Sequence, residues 1–260
     1  MLRQCNTPIM RDKLQSLSFS VRKAMGLLKP APGEFPILYH PQIHEKQIIE
    51  YFQKDGRTLF DKKHKAAVTN NYVLCFTNRC GSNWLSALLA ATDLVGHTDE
   101  FFNAPRFIRT SENTKATSFS QAFYNQATSK LEQKPDSFIT KLSWDQLFFF
   151  AKTRIIPDMM PNAQYILMHR RNVAAQALSM LVAEQTGQWT SNFNSGKHGK
   201  RNLDAITDEE IQHTIDEITF KYQQFWRFFA TFGIQPVEIY YEDIIENPLS
   251  EVSRLVAELN

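Results

Sequence analysis

The residue types best suited to chemistry fall in two places. In the first, Arg79-Cys80-Gly81-Ser82-Asn83-Trp84 follows an apolar run over residues 72–77 and opens a helical pattern marked by Leu85, Leu88 and Leu89. In the second, Arg170-Arg171 follows the apolar run 163–169, and Ser179 lies eight residues beyond Arg171. Each place reads as strand, turn and helix. Such a turn offers an anion unpaired backbone N–H groups and the positive end of the helix dipole. Gly81 lets the backbone come close, Ser82 adds a hydroxyl, and Arg79 adds a planar fork of donors. Two anchors of this kind predict a ligand with two separated phosphates.

Alternating strands and helices are needed to hold these anchors. Apolar runs predict strands over 72–77, 138–141, 163–169 and 237–241, with helices between them, one of them over 82–91. A polar stretch, 111–121, is expected to precede a further helix, and Pro157 and Pro161 punctuate the approach to the strand at 163. Thr207, with Glu210 three residues on, predicts the start of a long helix whose apolar face carries Ile211, Ile215, Ile218, Tyr222, Phe225 and Phe229. This order implies parallel strands with helical crossovers: an α/β, P-loop-like three-layer fold with a central parallel sheet flanked by helices. The segment 188–204 lacks periodicity and reads as a mobile surface loop, a candidate lid. A chain that ends within a helix beginning near Leu249 carries the expectation of a further C-terminal segment.

At 260 residues and 43% apolar content the chain can bury one sizeable core, and no apolar run reaches the roughly 18 residues of a membrane span. No apolar signal peptide opens it, so the expectation is a soluble, cytoplasmic protein. Cys5, Cys75 and Cys80 are odd in number and lack metal-ligand spacing, which indicates neither a disulfide framework nor a zinc site. Net charge is +2, yet residues 1–70 hold 12 Lys+Arg against 6 Asp+Glu, leaving 17 against 21 in the rest. That surplus is too small to predict a nucleic-acid partner. Residues 1–70 read as a basic extension and 71–260 as the functional domain. Within the extension Leu14, Leu17, Val21, Met25 and Leu28 line one face of a helix expected to pack on the body, with a membrane surface or organelle targeting as the alternatives.

The nucleoside-triphosphate loop, G-x-x-x-x-G-K-[ST], is a poor fit, because its first glycine and its lysine are both missing here. A nucleotide kinase is therefore the weaker enzymatic alternative. The pattern Thr77-x-Arg79-x-Gly81-Ser82-x-x-Leu85 instead resembles the loop with which sulfotransferases bind the 5′-phosphosulfate of 3′-phosphoadenosine 5′-phosphosulfate (PAPS). In that family an Arg and a Ser eight residues apart form the second anchor, as Arg171 and Ser179 do. The resemblance is to the branch typified by trehalose 2-sulfotransferase. It covers residues 72–248 through Gly96-His97-Thr98-Asp99-Glu100-Phe101-Phe102, Lys141-Leu142-Ser143-Trp144-Asp145, Arg170-Arg171 with Gln176 and Ser179, Glu184-Gln185-Thr186-Gly187-x-Trp189, and Tyr241-Glu242-Asp243. Cys80 and Asn83 depart from its pattern, where a serine and a small hydroxyl residue are usual.

The resemblance implies PAPS as donor, 3′,5′-adenosine diphosphate (PAP) as product, no metal, a carbohydrate or other polyol hydroxyl as acceptor, and a homodimer. It places Arg79 and residues 80–84 at the donor, Arg79 also stabilising the leaving phosphate, and it maps the general base onto Glu100. Asp99 is a rival for that role. Lys141 either faces the cleft or pairs with Asp145; Trp144 and Trp189 read as core or pocket-wall aromatics, and His169 as a hydrogen-bonded core residue. Cys80 reads as a small residue in a loop that works through its backbone, with a redox-sensitive thiol as the alternative. Tyr241-Glu242-Asp243 either holds loops together or presents Glu242 to the cleft. The non-enzymatic alternative is a catalytically impaired sulfotransferase-like binding module, suggested by Cys80 and Asn83.

Overall fold

Four strands, β1 (Asn70–Cys75), β2 (Ser137–Leu142), β3 (Gln164–His169) and β4 (Val237–Tyr240), form one all-parallel sheet in the order β2-β1-β3-β4. The computed structural model describes residues 43–54, 64, 68–92, 96, 98–131, 136–153, 155–189 and 203–259. The helices among them are α1 (Ile43–Lys54), α2 (Ser82–Ala90), α3 (Ala104–Asn113), α4 (Phe119–Leu131), α5 (Trp144–Lys152), α6 (Ile155–Met159), α7 (Val173–Thr186), α8 (Asp208–Phe232), α9 (Tyr241–Glu246) and α10 (Pro248–Leu259).

Both faces of the sheet are buried, as parallel strands require. Val73 and Cys75 of β1 point to one side, with Phe138, Leu142, Tyr165 and Leu167 from the neighbouring strands. There they meet phenylalanines of α3, α4, α5 and α8, including Phe107, Phe119, Phe123, Phe150 and Phe225. The rings interlock rather than merely fill space: Phe102 stacks on Phe123 at 4.7 Å and meets Phe150 edge-on at 4.8 Å. Tyr72, Leu74 and Phe76 point the other way, against Leu85 and Leu89 of α2, Ile244 of α9, and Leu255 and Leu259 of α10. These are the three layers expected from the order of elements.

Of the boundaries that differ from expectation, two shape what surrounds the site. Ser111, read as the start of a polar connector, lies in the last turn of α3; that helix shows a narrow buried face of Ala104, Phe107 and Ser111, and Ser111 satisfies its hydroxyl locally on Phe107 O at 2.7 Å. The first strand ends at Cys75, two residues earlier than predicted, so the turn that follows is longer. The long helix starts as predicted: Thr207 Oγ1 accepts from Glu210 N and Glu210 Oε2 accepts from Thr207 N. The expected helix over 14–28 and most of the candidate lid lie outside the described residues. Of the stretch read as an extension, α1 is described, and its Ile48 and Phe52 are buried in the phenylalanine-rich layer.

The strand order has a functional consequence. From β1 the chain adds β2 on one side, then crosses back to place β3 on the other, so connections leave the carboxyl ends of β1 and β3 in opposite directions. That crevice is where open α/β sheets bind ligands. Both predicted anchors open onto it.

Candidate active site

The turn after β1 is held in an unusual backbone conformation. Arg79 has φ 66° and Gly81 φ 96°, both left-handed. A Cβ on Gly81 would lie 2.3 Å from Tyr241 Cδ2, so glycine is required by space as well as by φ. We expect Gly81→Ala to lower unfolding stability by at least about 2 kcal/mol, measured by urea denaturation. Gly81 is also the N-cap of α2, and no side chain caps that helix, which leaves its first turn and dipole open to an anion. Cys80 is fully buried and points into the α2 layer; burial pushes its thiol pKa up to about 11. A neutral, inward thiol fits the reading in which this turn works through its backbone, not the redox alternative.

Arg79 reaches across the crevice. Its Nε donates to Ser179 Oγ at 2.9 Å and its Nη1 to the carbonyl of Trp189. Burial and the nearby Arg170 lower its pKa from the ordinary arginine value, though it remains a cation. Ser179, assigned from spacing to the second anchor, is thus in direct contact with the first. Trp84, on the first turn of α2, is half exposed, as is Trp189.

The arginine pair after β3 divides its work. Arg170 turns inward: its Nη1 donates to Arg79 O at 3.2 Å and its guanidinium lies 4.7 Å from the centre of the Tyr241 ring. Arg171 turns outward, 4.2 Å from the centre of the Tyr240 ring and paired at two points with Asp243, Nη2 to Oδ2 at 2.7 Å. Glu242 accepts from the backbone N–H groups of Arg171 and Asn172 at 3.0 and 3.1 Å. Burial disfavours the Glu242 carboxylate, but these N–H bonds outweigh it and hold its pKa below the ordinary value. Arg171 does the same for Asp243 through hydrogen bonding. Of the two readings of Tyr241-Glu242-Asp243, the structure shows the one that holds loops together. His169 stacks between Tyr222 and Tyr240, both 5.0 Å away, with Nε2 3.1 Å from Glu238.

A third group lies beside the anion turn. Lys141, near the end of β2, is 1% exposed; its Nζ donates to Asn83 Oδ1 and lies 3.4 Å from Glu100 Oε1. Asp145, the partner weighed for it from sequence, instead accepts from Ser143 Oγ at 2.6 Å. The two candidate carboxylates differ in their engagement. Asp99 pairs with Arg106, and its Oδ1 accepts from Glu100 N at 2.7 Å. Burial works against its ionisation, but the Arg106 hydrogen bond prevails and lowers its pKa. Glu100 has a side chain about one-third exposed (35%) and faces Lys141.

From sequence, Gln176 and Tyr241 carry no assigned role at the site, Arg170 gives way to Arg171 because the latter fits the spacing to Ser179, and Lys141 stays open between the cleft and Asp145. The available signal for Lys141 was a charged residue inside a short strand, SFITKL. Among the described residues, no three His, Cys, Asp or Glu side chains converge to hold a metal ion, and no helix is long and apolar enough to cross a membrane.

A switch-point crevice lined by arginines, with a lysine–carboxylate pair beside an open helix N-terminus, is suited to binding an anionic ligand. The family model for Stf0 sulphotransferase matches residues 71–260, and the chain belongs to that family; it is a sulfotransferase. The matched span contains every candidate residue from Arg79 to Ser179. No curated protein matches the chain.

Proposed function

We propose that this sulfotransferase moves the sulfuryl group of PAPS to a hydroxyl of a carbohydrate-like acceptor, with Glu100 as general base. One observation carries the reading: Lys141 joins Glu100 to Asn83, on the first turn of α2, and so sets a carboxylate beside the anion turn. The donor supplies an activated sulfuryl group on a phosphate leaving group. Arg79, the Gly81 turn and the first amides of α2, with Ser82, Asn83 and Trp84, hold the 5′ end and offset the charge that develops there. Arg171 and Ser179 hold the 3′-phosphate. Lys141 orients Glu100, which receives the proton of the acceptor hydroxyl.

Both departures from the family pattern have a place in this reading. Cys80 faces the core and Asn83 holds Lys141, so neither removes a donor from the turn. That supports an active enzyme over an impaired binding module. A reducing compartment such as the cytoplasm belongs to the same reading, supported by the buried free thiols of Cys75 and Cys80.

The test is thermal-shift titration with 3′,5′-adenosine diphosphate, run beside ATP with Mg²⁺. Saturating bisphosphate is expected to stabilise the protein, by about 2.7 kcal/mol at a hundredfold excess over Kd. Stabilisation by ATP with Mg²⁺ alone would overturn the reading. Arg171→Ala is expected to weaken the 3′,5′-bisphosphate about tenfold or more while changing adenosine 5′-monophosphate little, read by calorimetric titration.

A further inference from the structure

Arg79 occupies a backbone region that non-glycine residues rarely adopt, and such a residue keeps its shape only if its surroundings over-determine it. The peptide carbonyls on both sides of it are clamped. Asn78 O, before it, accepts from Gln176 Nε2 at 2.7 Å; Arg79 O, after it, accepts from Arg170 Nη1 at 3.2 Å. The same Gln176 Nε2 also donates to Thr77 Oγ1 at 2.8 Å. Gln176 is fully buried in α7, the helix that carries Ser179 three residues further on.

A second polar group backs this clamp. The Tyr222 hydroxyl, from α8, donates to Met168 O at 3.2 Å and lies against Thr77, Gln176 and the Arg170 backbone. Burial raises its pKa, so it stays a neutral donor. The carboxamide of Gln176 is therefore enclosed, with both N–H groups committed to the turn after β1.

We infer that Gln176 is a positioning residue for sulfuryl transfer: by gripping the peptide before Arg79 it holds Arg79 in the left-handed conformation from which the guanidinium reaches the crevice. In a trans peptide the C=O and the following N–H point in opposite directions. Fixing Asn78 O therefore also fixes the direction of the Arg79 N–H. One residue of α7 thus sets the geometry of the 5′ anchor, while Ser179 of the same helix meets the Arg79 side chain. The inference rests on the proposed donor role of Arg79.

Gln176→Met keeps the side chain's length and removes both donors. It is expected to lower turnover about 30-fold and weaken 3′,5′-adenosine diphosphate about tenfold, with the acceptor KM unchanged. Ala183→Gly, in the same helix and outside the site, serves as a control for stability loss alone. Hydrogen exchange at the amides of residues 79–81 should quicken in Gln176→Met and not in Ala183→Gly. This readout needs no donor, so it decides the inference even if the wild-type protein fails to bind the bisphosphate, a failure that counts against the donor reading only. If Gln176→Met does not fold, Gln176→Glu replaces it, since a carboxylate repels Asn78 O and should produce the same exchange and the same losses. Exchange at 79–81 that matches Ala183→Gly, or turnover within threefold of that control, overturns the inference.

Discussion

Glu100→Gln is expected to lower turnover by two to four orders of magnitude, about 10²- to 10⁴-fold, while 3′,5′-adenosine diphosphate binds as it does to the wild type. The substitution is nearly isosteric. Its amide oxygen can still face Lys141, which keeps its hydrogen bond to Asn83, but a neutral amide no longer offsets the charge of that buried lysine, so some stability is expected to be lost and a thermal melt must accompany the rate measurement. What disappears is the capacity to take a proton. Donor affinity is spared because Glu100 contacts the anion turn only through Lys141 and Asn83. Single-turnover kinetics with saturating donor, set beside calorimetric titration of the bisphosphate, separates the two quantities. Turnover within tenfold of the wild type would remove Glu100 from the role of base.

Arg79→Gly should separate stability from activity. Arg79 pays for a left-handed backbone that glycine adopts freely, of order 1 kcal/mol of strain. Glycine releases that strain but loses the bonds to Ser179 and Trp189 and loosens the unfolded chain, so net stability is expected to change by less than about 1 kcal/mol. Turnover, by contrast, should fall about 10²- to 10³-fold, the loss typical for one donor aimed at developing charge. A thermal melt and a donor-saturated rate measurement on one variant check both halves. A fall in stability of several kcal/mol with activity retained would make Arg79 a structural residue.

Both anchor turns were legible because their chemistry is local. Arg79, Gly81 and Ser82 follow one apolar run, Arg170 and Arg171 follow another, and each residue type has few reasons to stand there. The layer architecture was legible for the same reason, since apolar runs and helical faces repeat along the chain. The Lys141–Glu100–Asn83 group was not. It depends on register: Leu74 of β1 lies opposite Lys141 of β2, and only that pairing brings the lysine level with the start of α2. The division of labour between Arg170 and Arg171 was equally hidden, because spacing to Ser179 says nothing about which side chain faces the turn after β1. Helix α3 escaped notice because its buried stripe is narrow and ends on Ser111, whose hydroxyl is satisfied within the helix.

Tyr241 closes over Gly81 from the far end of the chain, and this orders events during synthesis. The turn after β1 leaves the ribosome well before the residue that seals it, and β4 with α9 must dock beside β3 before the ring can take its place. A nascent or proteolytically shortened chain ending before Tyr241 has every residue of that turn but not the ring that packs against Gly81. The turn can be held by Gln176 and Arg170 earlier, but its packing around Gly81 is completed only when the last strand has joined the sheet.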